Sequence, residues 1–197
     1  MLNVAGESPK IRIGILALQG DASLHIEVLQ ELQVTSAIVK TPNDLKGLDG
    51  LIMPGGESTA LLKLMKPIGM LEAIKDFAEQ GKQIFGTCAG AILLASKVTH
   101  PEQESLGLID ITIKRNGYGR QRDSQEAVGK GVKPLPKDLP MTFIRAPRIT
   151  AVSESMEVLA TYQNDPVLVQ SKNILAATFH PELTDDLSVY KYWLSQF

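Results

Sequence analysis

The chain has 197 residues, of which 44% are hydrophobic and 21% charged, a composition typical of one globular domain. Its net charge of −2 gives no general attraction to nucleic acid or to anionic membranes. A single cysteine and only 3 histidines exclude a disulfide framework and a cysteine-rich metal centre, so we expect neither a metal nor a cofactor. The sequence shows neither an apolar run of membrane-spanning length nor a signal-peptide pattern, which predicts a cytoplasmic protein.

The first half of the chain alternates short apolar strands with amphipathic helices. Strands are predicted at Ile11–Leu18, Ser36–Lys40, Gly50–Met53 and Gln83–Gly86. Helices are predicted at Ala22–Gln33, Thr59–Met65, Gly69–Gln80 and Ala91–Ser96. In the first helix, Asp21 is the expected cap and Leu24, Val28 and Leu32 form the apolar stripe. This alternation predicts a parallel sheet with helices on both faces.

The second half has a different pattern. Strands are predicted at Leu108–Lys114, Met141–Ile144, Val158–Tyr162, Val167–Ser171 and Ile174–Phe179, and a helix at Leu187–Ser195. The last three strands are separated by turn signals, which favours antiparallel hairpins, whereas the Gly-rich segment Asn116–Gly131 is predicted to be a long loop. We expect an extension at residues 1–10, followed by a single three-layer α/β domain at 11–197. Its central sheet would be mostly parallel, with antiparallel hairpins in the C-terminal half.

The only cysteine, Cys88, lies in the sequence G-T-C-A-G between a predicted strand and a predicted helix. This is the spacing of a nucleophile elbow, in which a tight turn strains the backbone of the nucleophile and flanking glycines prevent clashes. The N–H groups that open the following helix favour a thiolate. We therefore interpret Cys88 as a nucleophile rather than as an inert core cysteine.

A cysteine nucleophile requires a base, and His180 is the best candidate. It follows a predicted strand in the sequence F-H-P-E, where Glu182 could orient the imidazole. The other two histidines are predicted elsewhere, His25 on a helix facing solvent or a partner and His100 in a surface loop. The Gly-rich turn at Pro54–Ser58 follows another predicted strand, and its backbone N–H groups could bind an oxyanion.

Together these motifs resemble class I glutamine amidotransferases, and among them the glutaminase subunits of pyridoxal 5′-phosphate synthase. The resemblance extends from about Ile11 to the C-terminus. The motifs that carry it are LALQG at 16–20, PGGEST at 54–59, GTCAG at 86–90, Arg115-Asn116 followed by Gly119-Arg120-Gln121, FIRAP at 143–147 and FHPELT at 179–184.

The resemblance implies a Cys-His-Glu triad of Cys88, His180 and Glu182 that hydrolyses glutamine through a thioester. The backbone N–H groups of Gly56 and Ala89 would form the oxyanion hole. Glutamine would be held by Gly56, Glu57, Ser58, Arg115, Ile144 and Arg145. The arginines suit the α-carboxylate of glutamine, and Glu57 suits its α-ammonium group.

The resemblance also implies a protein partner, because ammonia released into water would be protonated and lost. In this family a separate barrel-shaped synthase subunit receives the ammonia and makes pyridoxal 5′-phosphate, and such a barrel takes ~250 residues of its own. The turn at Gln19 closes a strand of the same predicted sheet as the Gly-rich turn and the elbow. We therefore expect a docking face that includes Gln19 and His25.

Three other functions are compatible with the residues. The chain could be a glutaminase subunit of a different synthase, such as that of histidine biosynthesis. It could be a cysteine hydrolase or esterase that acts without a partner and without preference for glutamine. It could also be a binding module that has kept the fold without activity, although the complete set of Cys88, His180 and Glu182 speaks against this.

Overall fold

The computed structural model describes residues 11–117 and 124–197. The expected extension at 1–10 and the motif residues Gly119, Arg120 and Gln121 lie outside them. In the described residues, the helices are α1 (Ser23–Glu31), α2 (Ser58–Met65), α3 (Met70–Glu79), α4 (Ala89–Leu94) and α5 (Ser188–Leu194). None of the helices in these two ranges is long and apolar enough to cross a membrane.

Strands account for much of the remaining described chain. In the first half they are β1 (Arg12–Leu16), β2 (Thr35–Val39), β3 (Gly50–Met53), β4 (Gln83–Thr87), β5 (Ala95–Thr99) and β6 (Ile109–Lys114). In the second half they are β7 (Ser124–Gly131), β8 (Asp138–Ile144), β9 (Arg148–Val152), β10 (Glu157–Tyr162), β11 (Asp165–Ser171) and β12 (Ile174–Ala177). Short 3₁₀ turns occur at Pro42–Leu45, Lys66–Ile68 and Pro181–Leu183.

The central sheet has 9 strands in the order β2-β1-β3-β4-β12-β11-β10-β7-β8. The strands from β2 to β12 in this order run parallel, and those from β12 to β8 pair antiparallel. The expected parallel sheet and C-terminal hairpins are thus confirmed, with β12 joining them because it is parallel to β4 and antiparallel to β11. A second sheet of 3 strands, β5-β6-β9, lies beside it.

The core is divided into two layers because successive strand residues face opposite sides of the sheet. In β3, Leu51 and Met53 pack with α2, α3 and α4, whereas Ile52 packs with α1 and α5. In β4, Ile84 and Phe85 divide between the two layers in the same way. β3 and β4 are therefore buried on both faces, as their nearly continuous apolar sequences predicted.

Three sequence predictions were wrong. The helix predicted at Ala91–Ser96 ends at Leu94, and Ala95 and Ser96 belong to β5. The segment 124–131 was predicted as loop, but it forms β7, which pairs with β8 and β10. Its glycines reflect close packing rather than a loop: a Cβ at Gly129 would lie 2.3 Å from Cε of Met141, and one at Gly131 would lie 2.2 Å from the Pro136 carbonyl oxygen. The cap of α1 is Ala22 rather than Asp21, whose carboxylate instead accepts the Ser23 N–H at 2.9 Å.

The parallel strands determine where the candidate site residues lie. The chain leaves the carboxyl ends of β1, β3, β4 and β12 at one edge of the sheet, and parallel α/β sheets bind ligands at this edge. β4 leads directly into Cys88, β3 into the Gly-rich turn, and β12 into His180 three residues later.

Candidate active site

Cys88 lies in the strained turn that the elbow motif predicts. Its φ of 47° and ψ of −101° are unfavourable for a residue with a side chain. The flanking glycines allow the close approach: a Cβ at Gly86 would lie 2.8 Å from the carbonyl carbon of Gly90, and one at Gly90 would lie 2.0 Å from the Met53 carbonyl oxygen. Since its exposed fraction is only 7%, Cys88 can meet a substrate only within a cavity.

A cavity of about 330 Å³ opens above this turn. Its lining residues come from strand ends and loops that are distant in sequence. They are Gln19, Gly56, Glu57, Ser58, Cys88, Ile92, Arg115, Asn116, Ile144, Arg145 and His180. All six residues predicted to hold the substrate therefore line one cavity with the predicted nucleophile and base, whereas Glu182 and Ala89 are absent from its wall.

His180 connects the cavity to Glu182. Its Nδ1 lies 2.7 Å from Oε1 of Glu182, whose side chain is only 5% exposed. The Cys88 sulfur lies 3.9 Å from the carbonyl oxygen of Ile144, and both residues line the cavity. A buried carboxylate that accepts a hydrogen bond from Nδ1 leaves Nε2 as the imidazole nitrogen available for proton transfer.

The electrostatics of these groups favour an ion pair. Burial alone would lower the pKa of His180, but the neighbouring Cys88 sulfur and Glu182 carboxylate raise it to about 10. Burial would likewise raise the pKa of Glu182, but its hydrogen bond with His180 and its interactions with His25 and His180 lower it below the ordinary value. At neutral pH Glu182 is therefore ionised and His180 protonated, so the two side chains form an ion pair.

The Gly-rich turn packs directly against the imidazole. A Cβ at Gly55 would lie 2.4 Å from Cε1 of His180 and 3.4 Å from Cβ of Cys88, so only glycine fits there. Gly56 has a φ of 149°, which also favours glycine. The side chain of Gln19 supports the turn, because its Oε1 accepts the Glu57 N–H at 2.7 Å.

Two charged side chains of the cavity wall already interact with each other. Glu57 caps α2 by accepting the Ala60 N–H at 2.8 Å, and Arg115 donates to the same carboxylate at 2.9 Å. The pKa of Glu57 is below its ordinary value, mainly because the Thr59 hydroxyl donates to it. Arg145, by contrast, forms no ion pair with the described residues. Its φ of 42° places it in a conformation uncommon for a residue with a side chain.

His25 does not lie where the sequence analysis placed it. It was predicted to face solvent or a partner and to belong to the docking face, but it is fully buried. Its Nδ1 lies 2.6 Å from the hydroxyl oxygen of Tyr190, and its Nε2 lies 3.5 Å from Oε1 of Glu182. The stripe of α1 that faces the core therefore contains His25, Val28 and Leu29, and a docking face cannot include His25 in this conformation.

Four further residues at or beside the cavity were not assigned a role in the site. Gln19, Ile92 and Asn116 line it, and Gly55 contacts the imidazole. Three of the four stand inside or next to the quoted motifs, so the sequence did carry a signal for them. Ile92 had only its place in the helix after the elbow.

Comparisons with known proteins are consistent with this geometry. Residues 15–197 match the model of the SNO glutamine amidotransferase family. A curated relative from Thermotoga maritima, named "Pyridoxal 5′-phosphate synthase subunit PdxT", is 48% identical over 185 residues, which cover 93% of this chain and 98% of the relative. A relative of the same name from Niallia circulans is 46% identical over 184 residues, covering 93% and 96%.

Solved structures give the same result for the fold. A structure titled "Crystal structure of glutamine amidotransferase" has a TM-score of 0.88 and 41% identity, and the match covers 93% of this chain and 97% of that one. The structure of PurLQS from Thermotoga maritima has a TM-score of 0.70 at 16% identity, which shows a shared fold only. The matched model and the relatives span nearly the whole described chain, and we conclude that it belongs to the SNO glutamine amidotransferase family.

Proposed function

We propose that this protein hydrolyses L-glutamine to L-glutamate and ammonia, and that it supplies the ammonia to a synthase subunit that makes pyridoxal 5′-phosphate. The observation that carries the proposal is the arrangement of Cys88, His180 and Glu182, with the thiol in a strained elbow at the wall of a cavity. Membership of a glutamine amidotransferase family and the names of the relatives support the same reaction and the same product pathway.

In the first half of the reaction, the Cys88 thiolate attacks the side-chain carboxamide carbon of glutamine. A carbon–sulfur bond forms and the carbonyl electrons move onto oxygen. When this intermediate collapses, the carbon–nitrogen bond breaks and His180 gives its proton to the departing nitrogen, which leaves as ammonia. The product on the enzyme is a glutamyl thioester.

In the second half, water releases glutamate. Neutral His180 takes a proton from water, the hydroxide adds to the thioester carbon, and the carbon–sulfur bond breaks to restore the thiolate. Glu182 holds the imidazole throughout and stabilises its protonated form. Both tetrahedral intermediates carry a negative oxygen, for which we propose the backbone N–H groups of Gly56 and Ala89 as donors.

Substrate binding uses the charged side chains of the cavity wall. Glutamine carries an α-ammonium and an α-carboxylate group, and we assign the first to Glu57 and the second to Arg115 and Arg145. Arg145 lines the cavity without an ion pair among the described residues, so it can bind a carboxylate without breaking one. The remaining contacts are assigned to Gly56, Ser58 and Ile144, which line the same cavity.

The proposed chemistry also bears on the protein partner and on the cellular compartment. Ammonia must pass to the synthase before water protonates it, so we propose that the partner docks near this cavity, which Gln19 lines. We propose residues 11–197 as the amidotransferase domain and residues 1–10 as an extension. A free cysteine nucleophile needs a reducing compartment, which favours the cytoplasm.

The experiment that tests the function is a glutamate-release assay of the complex with the cognate synthase, isolated by co-purification. The natural sequence is expected to release glutamate from glutamine and to support formation of pyridoxal 5′-phosphate. With glutamine as the nitrogen source, Cys88→Ala is expected to do neither. Hydrolysis of esters with no preference for glutamine would indicate a stand-alone hydrolase instead. Co-purification with a synthase that makes a different product would show that the chain is the glutaminase subunit of that other synthase.

A further inference from the structure

We propose that His25 and Tyr190 are positioning residues that hold the carboxylate of Glu182 in the orientation that binds His180. This inference rests on the proposed function, since it concerns how the proposed triad is kept in register. It extends the chain of interacting side chains from the cavity wall to the helices on the far side of the triad.

The geometry places the two side chains directly behind Glu182. Both His25 and Tyr190 are fully buried, and the Tyr190 hydroxyl oxygen lies 2.6 Å from Nδ1 of His25. The other ring nitrogen of His25, Nε2, lies 3.5 Å from the same carboxylate oxygen that binds His180. His25 belongs to α1 and Tyr190 to α5, so two helices meet behind the triad.

The protonation of His25 follows from its surroundings. Burial lowers its pKa, although the charge of Glu182 opposes this, so the ring is neutral and carries one proton. A proton on Nδ1 would leave the lone pair of Nε2 facing the Glu182 carboxylate in a buried site, which is repulsive. A proton on Nε2 lets the ring accept the Tyr190 O–H at Nδ1 and present an N–H to Glu182.

Tyr190 therefore selects the tautomer of His25. Burial, together with the charge of Glu182, raises the pKa of this phenol well above its ordinary value, so the hydroxyl keeps its proton and can donate it. Within the described residues, Nε2 of His25 forms no hydrogen bond, and it faces Oε1 of Glu182. At 3.5 Å it attracts the carboxylate electrostatically rather than through a full hydrogen bond.

The consequence is that one carboxylate oxygen is attracted from two sides. Nδ1 of His180 binds Oε1 of Glu182 from the cavity side, and Nε2 of His25 attracts the same oxygen from the core side. Rotation of the carboxylate away from His180 would lose both interactions. The groups that face Glu182 are His180, His25 and Tyr190, with Asp21 interacting with His25 from the start of α1.

The first test measures the tautomer and needs no activity. The ¹⁵N chemical shifts of the histidine rings distinguish a protonated Nε2 from a protonated Nδ1, and the chain has only 3 histidines to assign. We expect a neutral His25 with its proton on Nε2, and a mixture of tautomers in Tyr190→Phe. A proton on Nδ1 in the natural sequence, or a charged ring at neutral pH, would overturn the inference.

The second test measures glutamine hydrolysis in the complex with the synthase. Tyr190→Phe should lower kcat about two- to tenfold, the effect of one net hydrogen bond, and leave KM for glutamine unchanged because neither residue lines the cavity. The acid limb of the kcat profile should move to higher pH, since a carboxylate that loses a donor becomes easier to protonate. His25→Gln should retain more activity than His25→Leu, because the amide can accept from Tyr190 and donate to Glu182.

Trp193→Phe is the matched control. Trp193 lies on the same helix as Tyr190, and each ring packs against Phe85 at a centroid distance of 5.6 Å. This change should leave kcat and the acid limb unmoved. If the natural complex hydrolyses glutamine but Tyr190→Phe and His25→Leu keep its kcat and pH profile, the positioning role is refuted while the proposed function stands. If the natural complex does not hydrolyse glutamine, the proposed function fails, and the tautomer measurement still decides this inference.

Discussion

In the natural sequence, Nδ1 of His180 lies 2.7 Å from Oε1 of Glu182. Replacing Glu182 by glutamine removes the negative charge but keeps an oxygen that can accept a hydrogen bond from His180. A hydrogen bond to a charged group contributes about 1.5–3 kcal/mol, and a tenfold change in rate corresponds to about 1.4 kcal/mol. Glu182→Gln should therefore lower kcat about 10- to 100-fold. His180→Asn removes the group that transfers both protons, so its loss should be at least as large, ~10²–10⁴-fold.

The assay is steady-state glutamate release at saturating glutamine in the complex with the synthase, repeated across the pH range. The charge of Glu182 contributes to raising the pKa of His180 to about 10, so Glu182→Gln should lower that pKa, as a titration of the His180 ring by NMR would show. If Glu182→Gln were more damaging than His180→Asn, or left kcat unchanged, the roles assigned to the two residues would be wrong.

Three other predictions concern the turn and the stability of the fold. Gly55→Ala should lower kcat about 10²-fold in the same assay, because its Cβ would lie 2.4 Å from Cε1 of His180 and displace the ring. Gly69→Ala is the control: no atom lies within 4 Å of the new Cβ, so this change should only reduce stability. The free energy of unfolding, measured by chemical denaturation, should fall as pH rises from 6.5 to about 10, since the folded pKa of His180 is above its unfolded value, and His180→Asn should lose this slope. The isolated chain should hydrolyse glutamine ~10²–10³-fold more slowly than the complex if docking reorients the peptide that presents the Gly56 N–H, and equal rates would refute this regulation but not the triad.

The parts of the fold that the sequence predicted well are those with a single strong physical cause. β3 was predicted with its observed bounds, Gly50–Met53, because an uninterrupted apolar run ends at a turn of proline and two glycines. The elbow was predicted because the spacing around Cys88 is compatible with few other structures. In both cases the local sequence alone determines the backbone.

The wrong predictions have causes that lie in the tertiary structure. The glycines of β7 resemble loop residues, yet a Cβ at Gly129 would lie 2.9 Å from the backbone carbonyl oxygen of Thr161 on the neighbouring strand, a contact that is not visible in the local sequence. His25 was placed outside because histidine is polar, although its spacing with Val28 and Leu29 follows the core-facing stripe of a helix. Only the burial of Tyr190 and Glu182 beside it explains why a histidine occupies that stripe.

The central claim is that Cys88 carries the glutamyl group, and trapping the thioester tests it most directly. The complex is mixed with isotope-labelled glutamine, quenched in acid during turnover, digested and analysed by peptide mass spectrometry. Because Cys88 is the only cysteine, a thioester can form at one position only. We expect a glutamyl adduct on the peptide containing Cys88, and none in Cys88→Ala, which should also release no glutamate. Turnover without an adduct on this peptide, or hydrolysis that survives in Cys88→Ala, would contradict the mechanism.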